Sequence, residues 1–330
     1  MNIRRALAFG LAAGALVLTG CTTANDDNAD SNKTKDTSSN TGSSKDIRID
    51  VITHGAPGDS FWDVVKAGAV QAGKDEGVDL KYQSDPDVGK QATLIDNAVA
   101  AGTDGLVVSM ANPDGLKASI ESAIKSGIPV ITINSGIDQW KDFGAITHVG
   151  QSETLAGEAA GEKLSSAGLK NVLCVIQEAG NTGLEQRCAG AKSKFSGTMT
   201  NLQTDNTDLA GSEATIESKL QADGSIDGIL ALGGDMSGQA VKAVDAVGKK
   251  ITIGTFDVNA DVVSNVKSGK ILFAVDQQPY VQGYLGVTGI YLKALNGNDI
   301  GGGQPVYSGP AFITKDNADD VLKFAQNGTR

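Results

Sequence analysis

The sequence predicts an α/β protein made of two similar lobes, each built on a parallel sheet. Three observations predict it. Short apolar runs bounded by glycine alternate with amphipathic stretches from residue 47 onward; the alternation runs through twice; and segments of the two halves echo each other at equal spacing. Such alternation builds parallel sheets from right-handed βαβ units, because a crossover helix must bring the chain back before the next strand can run the same way.

Residues 47–53 read as a strand, and 60–76 as a helix with apolar side chains at helical spacing. Strands follow at 80–82, 106–109 and 129–133, separated by helical patterns at 90–101 and 116–126. The second half repeats the scheme, with strands at 172–176, 229–232, 251–255 and 271–275. Its helices are expected around 153–165, 214–220, 238–247 and 281–295. Asp104-Gly105-Leu106-Val107-Val108 is echoed by Asp227-Gly228-Ile229-Leu230-Ala231. The strand that ends at Asn134 is echoed at the same interval by one that ends at Asp257. Open α/β sheets bind ligands at the carboxyl ends of their strands. Two such edges facing one another would make a cleft.

The chain outside this pattern reads as an address and a leash. Arg4 and Arg5 precede an apolar run over residues 6–18, too short to span a bilayer, and the segment 1–20 reads as a signal peptide. Leu18-Thr19-Gly20-Cys21 resembles the bacterial lipobox, which implies acylation at Cys21. Residues 21–46 hold almost no apolar side chains, so they cannot offset their ordering entropy and are expected to form a flexible polar tether. Together these place the protein outside the cytoplasm, lipid-anchored to the outer face of the cell membrane. A net charge of -11 argues against nucleic acid and anionic membrane surfaces as partners. With Cys21 taken by the lipid, Cys174 and Cys188 remain as an even pair in an oxidising compartment. A disulfide between them is expected, the alternative being two separate buried thiols.

The candidate site residues all sit at strand ends or helix starts. Gly55-Ala56-Pro57-Gly58-Asp59-Ser60-Phe61-Trp62 follows the first strand and opens the first helix, where Asp59 or Ser60 can cap it. Adjacent aromatics stand out in a chain only 5% aromatic. Phe61 and Trp62 suit the apolar face of a sugar ring, or else fill the core beneath the helix. Asn134 and Ser135 can pair with a diol or close an Asx turn. Asp257, at the equivalent edge, can accept from hydroxyls or cap the next helix. Arg187 is read as lying in the first turn of a helix, where its charge opposes the helix dipole, which suggests a donor aimed into a cleft rather than a solvated salt bridge. Gln277, ahead of Pro279 at a helix start, can offer an amide to a ligand or bridge the lobes; Asp235 can contact a ligand or cap its helix.

With these residues in view, residues 47–314 resemble the ribose-binding-protein group of type I periplasmic binding proteins. Asp59, Phe61 and Trp62 match the family's loop into paired aromatics; Glu185-Gln186-Arg187 matches its sugar-binding arginine motif; Asp257 and Gln277 match its strand-end aspartate and the glutamine before the Pro-containing crossover. The departures are Asn134-Ser135 in place of an Asp-Arg pair, Gly234 in place of an asparagine, and an aromatic lost near Asn206. They point to a less charged, roomier pocket than a ribose site. The resemblance implies two Rossmann-like lobes joined by a three-segment hinge near residues 149–151, 277–279 and 308–310. The lobes would comprise 47–149 plus 279–308 and 150–278 plus 309–330. It further implies a monomer that closes on a neutral sugar, polyol or cyclitol such as inositol and is read by the permease subunits of an ABC importer. An exported sensor presenting its ligand to a membrane receptor is the alternative. No Gly-x-Ser-x-Gly elbow and no metal-ligand cluster is present, and His54 and His148 lie near separate strand ends. No enzyme activity, metal or cofactor is expected. A repressor of the same fold would need a DNA-binding segment where the lipobox and leash stand.

Overall fold

Two six-stranded sheets with one shared strand order organise the computed structural model, which describes residues 47–330. The signal peptide expected over 1–20, the lipidation site Cys21 and the tether expected over 21–46 lie outside the described residues. The first half runs β1 (Arg48–Thr53), α1 (Ser60–Glu76), β2 (Asp79–Ser84), α2 (Val88–Ala100), β3 (Gly105–Ser109), α3 (Pro113–Lys125), β4 (Val130–Asn134) and β5 (His148–Gly150). The second runs α4 (Glu153–Ser166), β6 (Asn171–Ile176), α5 (Thr182–Lys194), β7 (Thr198–Gln203), α6 (Leu209–Ala222), β8 (Gly228–Ala231), α7 (Gly234–Val247), β9 (Thr252–Phe256), α8 (Ala260–Ser268) and β10 (Ile271–Asp276). The chain closes with α9 (Pro279–Asn296), β11 (Val306–Tyr307), β12 (Ala311–Ile313) and α10 (Ala318–Gln326).

The first sheet has the order β11-β5-β4-β3-β1-β2 and the second β12-β10-β9-β8-β6-β7. Their strands pair in parallel, except that β12 runs antiparallel to β10. The two-lobed α/β architecture with parallel-dominated sheets is thus present. Each sheet is covered on both faces, which is why β3, β4 and β8 are buried along their whole length. Val287 and Ile290 of α9 pack with Ile49, Val51, Val107 and Ile131, so this helix returns to the first sheet after β10 has finished the second. The chain therefore passes between the sheets from β5 to α4, from β10 to α9 and from β11 to β12. Among the described residues no helix is long and apolar enough to cross a membrane.

The internal echo has a local cause. Asp104 accepts from the backbone N–H of Arg48 at 2.7 Å, and Asp227 from those of Lys170 and Asn171 at 2.8 and 2.9 Å. Each aspartate ties the start of its lobe's third strand to the start of the first. The strands with little apolar signal escape a periodicity reading. In β7 only Met199 is buried, as befits an edge strand, and β5, β11 and β12 are two or three residues long. Helix α6 begins at Leu209 rather than 214, because Asp208 caps it through Gly211 N–H while its buried apolar side chains begin only at Ile216.

Cys174 of β6 and Cys188 of α5 are joined as a disulfide with their Cα atoms 5.9 Å apart, holding that helix on its sheet. Closing a loop of this length is worth about 3 kcal/mol. Reduction, or the double replacement Cys174→Ala/Cys188→Ala, is expected to lower the unfolding free energy by about that amount in a urea titration.

Candidate functional site: a polar cavity between the two sheets

The carboxyl ends of β1 and β4 face those of β6, β8 and β9 across a cavity of about 350 Å³. All nine residues singled out from the sequence line it: Asp59, Phe61, Trp62, Asn134, Ser135, Arg187, Asp235, Asp257 and Gln277. Asp59 is the N-cap of α1, accepting from the N–H groups of Phe61 (3.0 Å) and Trp62 (3.4 Å). Trp62 both lines the cavity and fills the core, packed edge-on against His54 and Phe61. Phe61 is half-buried.

Asn134 and Asp257 occupy matching strand ends, and both adopt the left-handed backbone conformation, with φ of 62° and 66°. Asn and Asp are the non-glycine residues that tolerate it best. Gln277 links them. Its Nε2 donates to Asp257 Oδ1 at 2.6 Å, and its Oε1 accepts from Asn134 Nδ2 at 3.1 Å. Ser135 donates to Asn134 Oδ1 at 2.8 Å, so Asn134 makes side-chain pairs on both of its amide atoms. Asp257 does not cap the next helix; Asn259 does, through Val262 N–H at 2.8 Å.

Arg187 lies in the second turn of α5, not the first, since the helix begins at Thr182 under an Asn181 cap. Its guanidinium is buried and bidentate with Glu153, Nε to Oε2 at 2.6 Å and Nη2 to Oε1 at 2.9 Å. Nη1 donates to the Leu232 carbonyl at 3.0 Å, and the group sits over the Phe256 ring. The partnership depends on two helices in backbone contact. A Cβ at Gly157 of α4 would strike the Arg187 carbonyl, and one at Gly190 of α5 would strike that of Thr154. Of the five guanidinium N–H donors, three are used here, and the residue also lines the cavity. Among the described residues lining the cavity, Arg187 is the one permanent cation, and Glu153 already balances it.

Asp235 stands at the seam. It lies in the first turn of α7 behind Gly233, and it accepts from Ser60 N–H (3.1 Å) and Ser60 Oγ (2.8 Å) at the start of α1, with Asn259 Nδ2 at 3.2 Å. Thr182 N–H to the Ala111 carbonyl (3.0 Å) and Gln186 Nε2 to Asp138 Oδ2 (2.8 Å) also join the halves. Hydrogen bonds to a charged group contribute about 1.5–3 kcal/mol. Asp235→Ala is therefore expected to shift the unliganded chain toward a more open form, read as a larger radius of gyration in small-angle X-ray scattering.

Burial raises Asp59 to about 7, helped by the neighbouring carboxylates of Glu178, Asp235 and Asp257. Burial likewise raises Asp257 to about 7, against the opposing pull of Arg187 and the Gln277 donor. Both groups bind their proton more tightly here than in a hydrated or unfolded chain, where 3.8 is the ordinary value. The compact form is therefore favoured at acid pH, loses stability as pH rises from about 4 to about 7, and carries the full penalty above that. The unliganded radius of gyration is expected to increase between about pH 4 and about pH 7; an unchanged value would contradict these assignments.

Several cavity residues are absent from the sequence reading of the site. Gln177 and Glu178 follow β6, and Glu178 accepts from Asn181 Nδ2 (2.7 Å) and Asn206 Nδ2 (3.1 Å). The buried Gln177 Oε1 has no hydrogen-bond partner among the described residues. The signal that could have found them is the one that found Asn134 and Asp257: they are the first residues past a buried parallel strand.

Two matched α/β halves with their strand ends turned on one polar cavity have the build of the hinged, two-lobed class of binding proteins. The chain belongs to the periplasmic binding protein family, whose domain profile matches residues 49–299. It is 24% identical over 269 residues to the xylose/arabinose-binding protein of Sulfolobus acidocaldarius, covering 74% of this chain and 66% of that protein. It is 27% identical over 274 residues to the xylitol-binding protein of Mycolicibacterium smegmatis, covering 80% and 76% of the two chains. Among solved structures, a carbohydrate transporter from Acidothermus cellulolyticus in complex with myo-inositol is 44% identical and superimposes with a TM-score of 0.85, covering 86% of this chain and all of that one.

Proposed function

We propose that the protein is the extracytoplasmic ligand-binding component of an ABC importer, capturing a neutral sugar, polyol or cyclitol between its lobes. The observation that carries this reading is the pairing of donors and acceptors from both strand edges around a cavity that holds no free cation among the described residues. A phosphorylated or carboxylated ligand would find no unpaired counter-charge among the described residues there, and would face Asp59, Glu178, Asp235 and Asp257. A hydroxyl both donates and accepts, so it can meet a carboxylate and an amide in turn. Asp59, Asn134, Ser135, Arg187, Asp257 and Gln277 supply the polar contacts in this reading, and Phe61 and Trp62 the apolar wall. The 44% identity to a protein solved with myo-inositol favours a cyclitol within the class.

Capture follows from closure. Groups from each edge complete their hydrogen bonds to a shared ligand only when the lobes approach, so the ligand binds the closed form better and shifts the population toward it. The crossings near residues 149–151, 277–279 and 308–310 serve as the hinge between lobes 47–149 with 279–308 and 150–278 with 309–330. The closed monomer, held at the membrane through a lipid on Cys21, is then read by the permease. A thermal-shift screen of pentoses, hexoses, polyols and inositols tests the ligand class, since a ligand at a hundred times its Kd stabilises the fold by about 2.7 kcal/mol. Myo-inositol is expected to give a shift and a hexose phosphate none; the reverse result would overturn the reading.

A further inference from the structure

We propose that His54 and Glu178 form a subsite for a single ligand hydroxyl, with His54 the fixed donor and Glu178 the fixed acceptor. The proposal rests on the reading of the cavity as a polyol site and adds two residues to it. His54 follows β1 and Glu178 follows β6, so the two stand on opposite sheets. Both line the cavity.

The tautomer of His54 follows from one serine. The Ser109 Oγ accepts the backbone N–H of His54 at 3.0 Å and lies 2.7 Å from its ring Nδ1. A hydroxyl has one proton to give. Among the described residues Nδ1 is the one acceptor within reach of this buried hydroxyl, so its proton goes to Nδ1, which makes Nδ1 the acceptor and leaves the ring hydrogen on Nε2. Burial keeps the ring neutral, acting against the charge of Glu178. The edge contact with Trp62, with ring centroids 4.6 Å apart, fixes the ring plane.

Nε2 therefore presents an N–H toward Glu178 Oε2, 3.8 Å away. That separation is too long for a hydrogen bond. Glu178 is held from behind by Asn181 and Asn206, whose amides donate one to each carboxylate oxygen. A donor on one lobe and an acceptor on the other are thus fixed just out of reach of each other. An O–H placed beside both would accept from Nε2–H and donate to Oε2. An ether oxygen could satisfy only the first and a C–H neither, so the pair selects for a free hydroxyl at one ring position.

Calorimetric titration of the full chain with myo-inositol and its monodeoxy and mono-O-methyl derivatives tests this. Glu178→Gln and His54→Asn are each expected to weaken myo-inositol about tenfold or more. His54→Gln, whose amide nitrogen can reach the Nε2 position, is expected to recover most of that loss. For one monodeoxy derivative the unaltered chain should already be weakened, and the two variants should add less than about twofold. Variants that bind myo-inositol as tightly as the unaltered chain, or that lose every derivative in equal proportion, would overturn the subsite alone. An unaltered chain that binds no inositol would overturn the cyclitol reading and the subsite with it.

Discussion

Arg187→Ala is expected to abolish ligand capture and also to cost the fold about 3–5 kcal/mol, because it strands the buried carboxylate of Glu153. Both members of the pair are almost wholly inaccessible, and water cannot replace the lost guanidinium. The Leu232 carbonyl loses its donor in the same step. Removing both charges separates the two consequences. Glu153→Leu/Arg187→Met leaves no buried charge without a partner, so it is expected to recover most of the unfolding free energy while still failing to bind. Urea unfolding and a titration with myo-inositol report the two effects independently. A single variant with unchanged stability would show that the pair is solvated in solution.

Asp257→Asn is expected to do the opposite to the fold and the same to the ligand. The asparagine is isosteric and tolerates the left-handed backbone at this position, whereas alanine would be strained there. It keeps an oxygen for the Gln277 amide but removes the charge whose burial raises the group to about 7. Above that pH the unliganded variant should be at least as stable as the parent chain. Ligand affinity should fall by roughly tenfold to a hundredfold, the worth of a hydrogen bond from a ligand hydroxyl to a carboxylate. Calorimetry at about pH 8 reads the affinity and a urea titration the stability. Unchanged affinity would remove Asp257 from the site.

The parts of this molecule legible in its sequence are those governed by local rules. Glycine-bounded apolar runs mark the buried central strands, and the echo of Asp104 at Asp227 reports a real structural equivalence, because each aspartate ties the same pair of strands. Asn134 and Asp257 could be singled out as strand-end residues without any knowledge of the lobes' arrangement. Edge strand β7 was not legible, since it buries one side chain where the central strand β8 buries all four. The partner of Arg187 was not legible either. Glu153 reaches it only because Gly157 and Gly190 let α4 and α5 touch, a contact between segments with no sequence relation. Asp235 likewise reads as a helix-start carboxylate until Ser60, from the other half of the chain, is placed beside it. His54 and Glu178 obey the same strand-end rule as Asp257 but carry no motif to draw attention to them.

A crystal structure of the chain grown with myo-inositol tests the central claim most directly. The account predicts one ring held between the halves, with Asp59, Trp62 and Asn134 on one side and Arg187 and Asp257 on the other, its hydroxyls within hydrogen-bond reach of both. A ring bound to a single lobe, or on the outer surface with the cavity still holding only water, would contradict it.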